Sequence, residues 1–222
     1  MIPEPGVFLA LVLFGGAVGV DGTSFGQFML SRPIAAATLA GWIAGAPAAG
    51  AAVGLILEAI HLTVLPVGAA RYPEGGPPAV AAAAVYAGAP QAPASLVVIL
   101  ALTLAVEWVG GLSIQGLRHL NVRLSAPAAA ASLRPGTLAR RHLLAIGADF
   151  LRAAAVTALG LLVIGGLAGA PFILPAQGPA RLALGAALAA ALAASARLFG
   201  TERLRLFAVG IVAGVLVLLA TR

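Results

Sequence analysis

Two apolar stretches, residues 94–117 and 141–169, are long enough to cross a lipid bilayer, which takes about 20 apolar residues. The sequence before them is as apolar, but Gly, Pro and single polar residues cut it into shorter pieces. Of the 222 residues, 61% are hydrophobic and 9% are charged, and the mean hydropathy is +1.07. A soluble domain carries about 25% charged residues. This chain has too little charge to coat itself for water, so the fold class it implies is an all-α polytopic membrane protein.

The apolar runs at 7–20, 34–45, 49–65 and 79–88 are mostly too short to span. Pieces of that length belong to broken or re-entrant helices, which persist at membrane depth only when protein or a water-filled cavity covers their ends. The N-terminal third is therefore expected to be irregular, with longer transmembrane helices after it. Pro33 suits the first turn of a helix, where its missing N–H costs nothing. Pro73, Pro77 and Pro78 suggest an extended loop. Gly41 and Gly45, then Gly50 and Gly54, repeat a spacing that lets helices approach closely.

All 13 Lys and Arg positions are Arg, and the net charge is +6. Arg118, Arg123, Arg134, Arg140 and Arg141 gather between the two long apolar runs, with His119 and His142 beside them. Few aromatic residues interleave there, so a positive-inside connection facing anionic lipid fits better than a nucleic-acid groove. The organisation expected is an N-terminal membrane region over 1–117, a basic cytoplasmic loop over 118–140, and C-terminal transmembrane helices over 141–222. A second basic patch runs from Arg197 to Arg205. Met1–Gly6 has no basic residue, so no cleaved signal peptide is expected. Cysteine is absent, which leaves no disulfide, thiolate metal site or cysteine nucleophile. No nucleotide-binding loop, metalloprotease motif or other catalytic signature is present, so neither a catalytic residue nor a metal or cofactor is expected.

Polar groups inside the apolar sequence are the candidates for function. Glu58 lies in AAVGLILEAIHLTVL, where a carboxylate costs roughly 2.5–3.5 kcal/mol unless it is paired or faces a polar cavity. His61, three residues on, shares its helix face. A carboxylate and an imidazole can together grip hydroxyl groups, or they can form a structural pair between helices. Asp21, Ser24 and Gln27, with Thr23, form a polar cluster between apolar runs, suited to a re-entrant tip or to helix capping. Arg32 suits an anchor or an ion-pair partner. Residues 66–74 suggest a second backbone break, with Gly68 offering main-chain groups and Arg71 and Glu74 either supporting the site or forming an exposed pair. Glu107, and the i, i+3 pair Asp149 and Arg152, suit structural partners within the helices.

The order SFGQF, SRPI, AGWIAGAPAAG, LILEAIHL and LPVGAARYPEG, from about Leu9 to Val80, resembles the integral-membrane IIC component of the mannose/sorbose-type phosphotransferase system. The resemblance implies a sugar-translocating subunit of the bacterial cytoplasmic membrane that works beside a IID-type membrane subunit, in trimeric higher assemblies. It implies elevator-like movement of a hexose or amino sugar, coupled to phosphorylation by IIA and IIB phosphocarriers. Glu58 then matches the family's intramembrane glutamate, and Gln27 and Arg32 fall in its aromatic–RP turn. His61 and Arg71 stand where more neutral residues are expected, and Glu74 replaces an aspartate. The sugar-binding set expected is Glu58, Gln27, His61, Asp21, Ser24 and Gly68, with Arg32, Arg71 and Glu74 in support. Two other readings fit the residues alone: a proton-coupled transporter using Glu58 and His61, or a receptor or scaffold subunit that does not transport.

Overall fold

The computed structural model describes residues 1–64, 70–125, 135–170, 177–198 and Val212. Among them are seven helices and no strand. They are α1 (Pro5–Thr23), α2 (Pro33–Ile43), α3 (Pro47–His61), α4 (Gly76–Ala87), α5 (Pro93–Ser125), α6 (Pro135–Leu167) and α7 (Gln177–Leu198). The expectation of an all-helical membrane protein holds. α1, α5 and α6 are long and apolar enough to cross a bilayer, while α2 and α3 are shorter apolar helices. α1 extends on both sides of the apolar run 7–20, starting at Pro5 and ending beyond Asp21.

Proline starts most of these helices. Pro5, Pro33 and Pro47 open α1, α2 and α3, where the proline ring sets φ and no hydrogen bond is forfeited. Pro77 and Pro78, expected in an extended loop, instead lie in the first turn of α4 for the same reason. Among the described residues, the non-helical approach to α4 runs over residues 70–75.

α2 and α3 form a tight hairpin. α2 ends in a Schellman motif: Ala46 N–H donates to the Gly41 carbonyl at 2.7 Å, and Gly45 N–H to the Trp42 carbonyl at 3.1 Å. Gly45 occupies the left-handed position with φ of +80°. Beyond the turn, a Cβ on Gly41 would lie 2.8 Å from the Ala46 carbonyl oxygen, and one on Gly54 would lie 2.9 Å from the Pro33 carbonyl oxygen. A Cβ on Gly50 would run into the Ala37 carbonyl. Gly41, Gly50 and Gly54 therefore do close helix packing, whereas Gly45, where a Cβ would meet nothing within 4 Å, serves the turn.

α4 lies at the centre and is buried from Gly76 to Tyr86. Twelve residues rise about 18 Å, well short of the hydrocarbon core of about 30 Å. α4 packs against α1, α2, α3, α5 and α6, which enclose it. α1 runs antiparallel to α6, and the Met1 amino group donates to the Gly165 carbonyl at 3.1 Å. Gly15, Gly16 and Gly19 meet Thr157, Phe150 and Ala153 along that contact.

The basic stretch 118–140 is helical at both ends, since α5 runs to Ser125 and α6 begins at Pro135. Each of these 33-residue helices is about 50 Å long. Their Arg- and His-bearing turns thus extend past the apolar core of the bilayer without a break in the helix. The patch from Arg197 to Arg205 and the final apolar run fall outside the described residues, apart from the end of α7 and Val212.

The α2–α3 contact leaves no room at Gly50. Gly50→Ala is expected to lower stability by about 1–3 kcal/mol through overpacking against the Ala37 carbonyl. Gly166→Ala, whose Cβ would meet nothing within 4 Å, should leave the unfolding midpoint unchanged or raise it slightly. Thermal unfolding in one detergent compares the two.

Candidate functional site

The short helices end around a recess of about 570 Å³, open mouth included. The end of α1, the start of α2, the end of α3 and the segment 72–77 meet there. Thr23, Ser31, Arg32, His61, Tyr72 and Glu74 supply its polar lining. Glycine makes the approach of these segments feasible. A Cβ on Gly75 would sit 2.9 Å from His61 Cε1, and one on Gly76 would sit 2.6 Å from Val18 Cγ1.

Two ion-paired groups and one histidine–carboxylate hydrogen bond surround the recess. In the first, Arg32 Nε donates to Glu58 Oε1 at 2.8 Å, and its terminal NH2 group also bonds Glu58. Glu58 Oε2 accepts from Ile34 N–H at 3.4 Å. Arg32 is one-third exposed and lines the recess; Glu58 stands behind it.

In the second, Arg152 bridges two acids. Its two terminal nitrogens each reach a Glu74 oxygen at 2.7 Å, while its Nε reaches Asp149 Oδ1 at 2.9 Å. Arg152 also donates to the Ser113 hydroxyl at 2.8 Å. The other oxygen of Asp149 accepts from both Thr23 and Ser24. Glu74 and Asp149 are buried. The planar guanidinium suits this geometry, because its rigid fork can serve one carboxylate bidentately and leave Nε for another.

In the third, His61 Nε2 lies 3.0 Å from Glu107 Oε2, with both residues buried. Glu107 Oε1 is buried and has no hydrogen-bond partner among the described residues. The backbone adds a further tie, since Glu74 N–H donates to the Glu107 carbonyl at 2.9 Å. Gly110 and Gly111 make that possible. A Cβ on Gly110 would lie 2.6 Å from Glu74 Oε2, and one on Gly111 would strike the Tyr72 carbonyl.

His61, Arg32 and Glu74, all named from the sequence, thus line one recess. Glu58 and His61 share a helix but turn to different partners, Arg32 and Glu107. Asp21 is buried and secures a turn, accepting Phe28 N–H at 2.6 Å and Ser31 N–H at 2.9 Å. Ser24 is engaged with Asp149. Gln27 is exposed on the turn with φ of 55°. Arg71 is exposed, and Gly68 lies outside the described residues. Glu74 does not form an exposed pair with Arg71; it is buried against Arg152, on a helix nearly 80 residues away in sequence. Ser31 and Tyr72 are lining residues that sequence reasoning did not single out. The paired glycines Gly110 and Gly111 were the available sign that another backbone lies on α5.

The fold and the buried charge clusters define a polytopic helical membrane protein with a polar recess between broken helices. No protein-family model matches the chain, and no curated protein is similar to it in sequence. Solved structures do share the fold. One, described as a membrane protein, is 18% identical with a TM-score of 0.76, covering 99% of this chain and 92% of its own. Another belongs to the mannose transporter ManYZ in complex with microcin E492 (MceA). It is 19% identical with a TM-score of 0.62, covering 97% of this chain and 88% of its own. At this identity the likeness is one of fold.

Truncating Arg152 tests whether its bridge holds the recess together. Arg152→Ala should cost about 3–5 kcal/mol, because Glu74 and Asp149 are left buried without their cation. Adding Glu74→Gln and Asp149→Asn to Arg152→Met should recover most of that loss, since neutral groups need no counter-charge. Denaturation midpoints of the single and triple variants measure both effects.

Proposed function

We propose that this chain is the sugar-translocating IIC-type subunit of a mannose/sorbose-type phosphotransferase system in a bacterial cytoplasmic membrane. The observation that carries this reading is the polar recess, ringed by two ion-paired groups and a histidine–carboxylate pair and built where short apolar helices end, in a fold shared with a chain of a mannose transporter structure. Such placement suits a solute with many hydroxyls. Side chains already held by ion pairs keep spare lone pairs and N–H groups for a ligand, and stay ordered when it leaves.

On this reading, the hydroxyls of a hexose or amino sugar bond to Ser31, Tyr72 and His61, with Arg32 and Glu74 at the walls. Glu58 orients Arg32 and does not touch the sugar. Gln27 lies on the rim turn, and Asp21 and Ser24 act by holding that turn and the end of α1. No bond is made or broken here. A IIB phosphocarrier, charged by IIA, phosphorylates the sugar on the cytoplasmic side, and removal of free sugar pulls transport inward by mass action. A IID-type membrane subunit and a trimeric higher assembly complete the machinery. α5 and α6 supply the scaffold, and the short-helix unit around α2, α3 and α4 is the part suited to elevator-like movement.

Binding of a hexose and amino-sugar panel to the purified membrane complex tests the reading. Ser31→Ala should weaken the preferred sugar by about threefold to tenfold, the value of one hydrogen bond, and His61→Phe by more. Uptake into vesicles should need phosphoenolpyruvate and the phosphocarriers. Accumulation of unmodified sugar driven by a proton gradient would count against a phosphotransferase role.

A further inference from the structure

The turn between α1 and α2 exposes three large apolar side chains, Phe25, Phe28 and Met29, each at least 65% accessible. The turn is held in one shape all the same. Both oxygens of Asp21 are bonded to its backbone, and Gly26, Gln27 and Met29 all adopt positive φ. Between this turn, α1 and α6 lies a groove of about 750 Å³, its open side included, lined by Val20, Phe25, Phe28, Leu30, Ile146 and Phe150. Its walls are almost wholly apolar. Gly147 stands in the lining, and a Cβ there would meet nothing within 4 Å. The carboxylate of Asp21, which also borders the groove, is already taken by the turn.

Arg140 precedes Gly147 by seven residues, which is two helical turns. It therefore shares the face of α6 that carries Gly147, about 10 Å toward the basic end. It is exposed. Arg141 donates to the Leu124 carbonyl at 3.3 Å, and Arg123 is exposed at the end of α5 nearby in the fold. No acidic residue occurs between Arg118 and Ala148. α6 is longer than the hydrocarbon core by about 20 Å. Its basic first turns accordingly stand at headgroup level, and Ile146 to Phe150 stand just inside the apolar region.

A cationic side chain at the interface, one face-aligned step above an apolar slot, matches the layout of a phospholipid. The geometry points to a bound anionic phospholipid, with its phosphate on Arg140 and one acyl chain in the groove between the Phe25–Phe28 turn and α6. An extended protein segment fits less well, because its unpaired backbone polar groups would find no partner in this lining; a helix from another chain is the competing occupant. The inference stands apart from the sugar reading: the two share the Asp21-held turn, but neither Arg140 nor Gly147 has a part in the sugar site.

The full chain, delipidated and returned to mild detergent, is offered dioleoyl phosphatidylglycerol or dioleoyl phosphatidylcholine, and retained lipid is counted by native mass spectrometry. The wild type is expected to retain phosphatidylglycerol preferentially. Arg140→Ala should reduce that preference by about fivefold, the worth of one basic residue at a charged surface. Gly147→Leu fills open space, so it should keep or slightly raise the wild-type unfolding midpoint while retaining less of both lipids. Equal retention of the two lipids by the wild type would overturn the proposal. So would unchanged retention in both variants, or a copurifying protein seated in the groove with no lipid retained.

Discussion

Arg152 is the residue on which the arrangement of the site rests. It sits on α6, one turn after Asp149, and reaches both that acid and Glu74 on the extended segment before α4. Three charges buried at this depth would be prohibitive if separated, because each would forfeit its hydration. Joined by a guanidinium fork they become a linked unit that ties the end of α1, through Thr23 and Ser24, to α5 and α6. The chain must place residues 70–75 against α5 for that unit to form. Gly110 and Gly111 provide the space.

The second constraint is that short helices inside a membrane expose unpaired backbone ends. This chain covers them with protein. The α2–α3 hairpin closes its turn with two internal hydrogen bonds, and its glycines bring the two backbones into contact. α4 disappears into the centre of the molecule. The long helices α5 and α6 provide the wall against which this unit packs, and their basic ends carry the chain past the apolar core.

The recess follows from both constraints. Helices that stop short leave a gap, and the groups that hold their ends together line it. Arg32 with Glu58 and His61 with Glu107 fix the end of α3 on two sides. A polar cavity assembled this way is rigid in its polar parts while its walls belong to separate helices. That combination suits the binding of a neutral, hydroxyl-rich solute and its release by a change in helix packing.

Much of the fold was legible from residue types. Scarce charge and long apolar runs demand helices in lipid, Pro33 marks where one short helix starts, and Gly41, Gly50 and Gly54 mark where two of them touch. Pro77 and Pro78 were misleading, because proline signals a helix start and an extended loop equally well until its neighbours are placed. The site was only partly legible. An isolated acid such as Glu58 or Glu107 advertises that a partner is needed, but not which one. Only the tertiary structure decided that Glu58 meets Arg32, that His61 turns away from it to Glu107, and that Glu74 is buried with Arg152. The physical reason is distance along the chain: helical periodicity sets which residues share a face, whereas pairing across helices depends on how those faces dock.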